Sequence, residues 1–83
     1  MRYESAREII TSLMGFRSLW MGRERAKATV DLDQIARWQQ ERAELARKLR
    51  GLSVTDLETV DGIRKQYGPE VRRLEAIERS ATP

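Results

Sequence analysis

Neither histidine nor cysteine occurs anywhere in the chain. Their absence removes the usual neutral-pH acid–base group, the thiol nucleophile and the two commonest transition-metal ligands. No disulfide or thiolate-bound metal can reinforce the fold, so burial has to come from helix packing or from a second chain. Ser5, Ser12, Ser18 and Ser53 have no histidine to activate them, and no Ser–Lys signature stands beside them. Gly68-Pro69 supplies a single glycine, which cannot cradle a phosphate. No cofactor is expected.

Long hydrophobic runs are missing too, so no membrane-spanning segment is expected. Ile9, Ile10, Leu13 and Met14 lie near the start, but Glu4 and Glu8 precede them and Arg17 follows. With no small-residue cleavage site, this stretch does not read as a secretory signal. The lack of cysteine is compatible with a reducing cytoplasm, which is the expected location.

What is present is charge on a helical pattern. Of the 83 residues, 35% are charged and 40% apolar, a balance that favours a folded helical protein. Up to Ala28 six lysines and arginines face three acids, whereas from Gly51 onward five face six, so the net +3 belongs to the N-terminal part.

Ser5-Ala6-Arg7-Glu8 has the form of a capping box and predicts a first helix over 5–21. Ile9, Leu13, Phe16 and Trp20 recur at four-three-four spacing on one face, widened by Ile10, Met14 and Met21. Gly22 is a plausible stop, and residues 23–29 read as a solvated connection or as a bent continuation of the helix. A second helix is predicted over 31–50, with Asp31 as N-cap and Ile35, Trp38, Leu45, Leu49 and Leu52 in a repeat interrupted by Arg42. The short connection after Gly51, capped from Ser53 or Thr55, implies an antiparallel hairpin with the third helix. That helix is predicted over 54–67 and again over 69–80, kinked or broken at Gly68-Pro69, with a fraying tail at 80–83.

The fold class is therefore all-α, a small bundle of three main helices in a single domain spanning 1–83. The expected core comprises Ile9, Leu13, Phe16, Trp20, Ile35, Trp38, Leu45, Leu49, Leu57, Val60, Tyr67, Val71 and Leu74. The first helix exposes more apolar surface than one short hairpin covers, which predicts a homodimer with Trp20 and Met21 near its interface.

Three functional readings follow. The leading one is a non-catalytic adaptor, regulatory subunit or inhibitor acting on an unidentified protein through Phe16, Trp20, Met21, Trp38 and Arg42, residue types suited to binding hot spots. Arg42 either pairs with a partner's carboxylate or lies along Trp38. A second reading is a nucleic-acid-binding regulator using Arg17, Arg23, Arg25 and Lys27 beside the aromatics. For the third, Glu41-Arg42-Ala43-Glu44, thirteen residues and then Glu58-Thr59-Val60-Asp61 resembles the paired acidic motif of the all-α nucleotide pyrophosphatases. That resemblance implies Mg²⁺ held by Glu41, Glu44, Glu58 and Asp61 between helices.

Overall fold

The computed structural model describes residues 2–81. It contains three helices, α1 (Arg2–Arg25), α2 (Leu32–Gly51) and α3 (Leu57–Ala81), and no strand among the described residues. The protein is all-α, a small bundle in which α1 contacts both other helices. Two compact units divide the chain: α1 up to Ile9 goes with the chain from Leu52 onward, and Ile10–Gly51 forms the other. α2 thus shares its unit with most of α1, and α3 shares the other with the start of α1.

Within Ile10–Gly51, α1 and α2 form an antiparallel pair. Arg17 meets Glu41 and Trp20 meets Trp38, so the contacts run backward along α2 as they run forward along α1. Buried here are Ile10, Leu13, Met21, Ile35 and Leu45. In the other unit the pairing is parallel: Arg2 reaches Asp61, and Ile9 Cδ1 lies 3.8 Å from where a Cβ on Gly68 would stand. Ala6, Leu52, Val60, Ile63, Val71 and Leu74 are buried there, so α3 keeps one apolar stripe on both sides of Pro69.

The buried stripe of α1 is Ala6, Ile10, Leu13 and Met21, one position away from the predicted phase at its start and end. Ile9, Phe16 and Trp20 are only partly buried, and Leu57, expected in the core, is 50% exposed. The helix also begins before Ser5, which lies inside it and is no cap. Glu4 complements the dipole in the first turn, and the Arg7 guanidinium donates to Tyr3 Oη at 3.3 Å while lying over its ring. At the other end α1 passes Gly22 and runs to Arg25. Its last turn tightens as the Ala26 amide bonds the carbonyls of Gly22 and Arg23.

Asp31 caps α2 as expected: its Oδ1 accepts from the Gln34 amide at 3.0 Å. Asp31→Ala should lower stability by about 1 kcal/mol in urea unfolding. The cap of α3 is Asp56 rather than Ser53 or Thr55. Its carboxylate accepts from the Thr59 hydroxyl at 2.7 Å and the Thr59 amide at 3.1 Å, and these bonds hold its pKa below the ordinary value. Ser53 instead builds the preceding turn, accepting from the Thr55 amide through Oγ and from the Asp56 amide through its carbonyl.

α3 is a single helical element with Pro69 inside it, so of the kink or break expected there the helix shows no break. Proline removes one N–H, and the carbonyl four residues back belongs to exposed Lys65, where water can serve it. Ser80 and Ala81 belong to α3, while Thr82 and Pro83 lie outside the described residues.

Candidate interaction groove

The α1–α2 pair carries an aromatic ladder. Phe16 stacks on Trp20 at 6.1 Å between ring centroids, and Trp20 meets Trp38 at 5.8 Å with the rings tilted by 48°. These distances fall in the favourable range for aromatic pairs. All three rings remain partly exposed, and Trp20 and Trp38 line an open groove of about 420 Å³ with Arg23, Glu24 and Lys27.

Arg17 fixes one side of this ladder. Its guanidinium lies 5.2 Å from the Trp20 ring centroid, its Nε donates to Glu41 at 3.2 Å, and its Nη1 reaches the Leu13 carbonyl at 3.5 Å. Only 14% of the side chain is exposed. Arg17 is thus a cation stacked on an indole, whereas Arg42 is exposed and borders a second groove of about 320 Å³ with Ser18, Met21, Arg25, Gln39 and Ala43. Met21, expected near an interface, is 6% exposed in the single chain and packs mainly in its core.

Glu24, which no sequence signal singled out as functional, also lines the groove. Its residue exposure is 6%, and its carboxylate accepts from the Asp31 amide at 3.1 Å and from Lys27 Nζ at 3.0 Å. The Asp31 amide first, then Lys27, holds the Glu24 pKa below the ordinary carboxylate value. Because that pKa is lowered on folding, its stabilisation is complete above the unfolded value near 4.5 and fades as pH falls through the folded value. Glu24→Gln should therefore be less stable than wild type at pH 7, with the gap narrowing in unfolding curves taken progressively below pH 4.5.

The four basic residues singled out beside the aromatics do not form one stripe. Arg23 and Lys27 line the tryptophan groove, Arg25 lines the second groove, and Arg17 is largely covered. Nor do the four acids of the pyrophosphatase-like pattern form a ligand set. Glu41 pairs with Arg17, Glu44 lies 4.0 Å from Arg47, and Asp61 lies between Arg2 and Arg64 at 3.4 and 3.9 Å. Glu58 is exposed. Among the described residues no three carboxylates cluster so as to hold a metal ion. No helix among them is long and apolar enough to cross a membrane. Compared with known protein families, characterised proteins and solved structures, the chain matches none.

Proposed function

We propose that this chain is a small non-catalytic helical protein of the cytoplasm, an adaptor, regulatory subunit or inhibitor, whose contact surface is the Trp20–Trp38 groove. One observation carries the reading: two tilted indoles pack together across α1 and α2 yet keep part of their surface open beside Arg23 and Lys27. Tryptophan and arginine are the residue types that dominate binding energy when seated in such hollows. Arg17, stacked on Trp20 and bonded to Glu41 and the Leu13 carbonyl, holds that ring in place, which reduces the ordering cost on association. The surface fits a partner segment with an apolar anchor flanked by acids.

The test is to immobilise wild type and Trp38→Ala in parallel against extract of the native host, then measure the purified partner by calorimetry. The expected result is a partner whose affinity falls at least about tenfold with Trp38→Ala. Equal affinity for both proteins would remove the groove from the account.

A second reading, a nucleic-acid-binding regulator, is favoured by the same juxtaposition of indoles with Arg23 and Lys27, because bases stack on exposed aromatics between phosphate-binding cations. Its signature is binding to oligonucleotide that weakens steeply with added salt. No binding at low salt eliminates it.

A further inference from the structure

We infer that the groove of one chain receives the Val54–Glu58 corner of a second copy. This rests on the reading of the groove as a contact surface and names its occupant. The corner joins α2 to α3 and leaves two large apolar side chains in solvent, Val54 at 59% and Leu57 at 50% exposure. Asp56 and Glu58 alternate with them, and both are exposed. Residues 51–63 form the longest stretch without lysine or arginine in the whole chain, and they carry Asp56, Glu58 and Asp61.

The groove offers the complementary surface. Its lining is aromatic and carries Arg23 and Lys27. Two cations stand there against one carboxylate, Glu24, which accepts from Lys27 and the Asp31 amide, so the lining keeps a net positive charge of one. An apolar anchor between acids is what such a surface selects, and charge complementarity fixes the orientation in which it enters. The corner is also built to hold its shape: the Ser53 and Thr55 hydroxyls lie 2.9 Å apart, and Asp56 is locked by its two bonds to Thr59. A preformed corner loses little freedom on docking.

Sedimentation equilibrium over a wide concentration range tests the pairing on wild type, Leu57→Asp, Arg23→Glu and Glu58→Arg, with helix content checked by circular dichroism. The expected result is a self-associating wild type, with association weakened about tenfold or more by Leu57→Asp and measurably by each charge reversal. Mixing Arg23→Glu with Glu58→Arg should restore association, because each groove then faces a corner of opposite charge in the other protein. A merely misfolded variant would not be rescued by mixing. A wild type that stays monomeric, or a mixture no heavier than its components, overturns the inference. If a monomeric wild type still loses a foreign partner on Trp38→Ala, only the occupant is wrong. Self-association untouched by Trp38→Ala, with that partner also retained, defeats both readings.

Discussion

Leu13→Ala is expected to cost about 3–4 kcal/mol of unfolding free energy, because the side chain is 1% exposed and its removal leaves a cavity as well as losing apolar burial. A domain of this length has about 4–12 kcal/mol in total, so the variant should be markedly less stable in urea. Leu19→Ala, six residues along the same helix at a position 42% exposed, should cost under about 1 kcal/mol. The pair is informative because it tests the phase of the α1 stripe directly. Equal losses at the two positions would mean that α1 is rotated from the orientation described.

The second large effect has the opposite sign. Pro69→Ala should stabilise the protein by about 2–3 kcal/mol, since an interior proline both deletes a helix hydrogen bond and crowds the preceding turn. Pro69 is exposed, so alanine gives up no buried surface there. At the neighbouring Gly68 an added Cβ would meet Ile9 Cδ1 at 3.8 Å and Arg72 Nη1 at 3.7 Å, ordinary contact distances, so Gly68→Ala should also stabilise, by about 0.5–1 kcal/mol. Thermal unfolding of the two single variants and the double variant measures both. A lower midpoint for Pro69→Ala would show that α3 depends on the proline rather than tolerating it.

Much of the helical content was legible because helix-forming periodicity and a strong cap act locally. Asp31 and the Ile35–Leu45 repeat specify α2 almost by themselves. The errors arose where tertiary contacts override local signals. Ser5-Ala6-Arg7-Glu8 looks like a start, yet the Tyr3–Arg7 contact and the Arg2–Asp61 pair extend the helix past it. Pro69 looks like a break, yet Val71 and Leu74 continue the buried stripe begun by Val60 and Ile63, and burying it outweighs one missing bond.

The candidate site was legible as residue types but not as geometry. Trp20 and Trp38 stand out by size, but nothing local says that they meet. Glu24 was hidden in a segment where the apolar pattern fails. It in fact continues the spacing of Ile10, Leu13, Arg17 and Met21, so the stripe turns polar there instead of ending. An acid or arginine at a stripe position, with a helix start a few residues beyond, is the signal that would have marked it.

The groove claim is tested most directly by the two indole N–H resonances, since the chain contains only Trp20 and Trp38. Proton–nitrogen spectra of labelled protein, recorded on dilution and on addition of any captured partner, follow both. Both indole signals should shift with binding, together with the amides of Arg23 and Lys27, while the amide of exposed Ile77 stays in place. Association accompanied by stationary indole signals would contradict that claim.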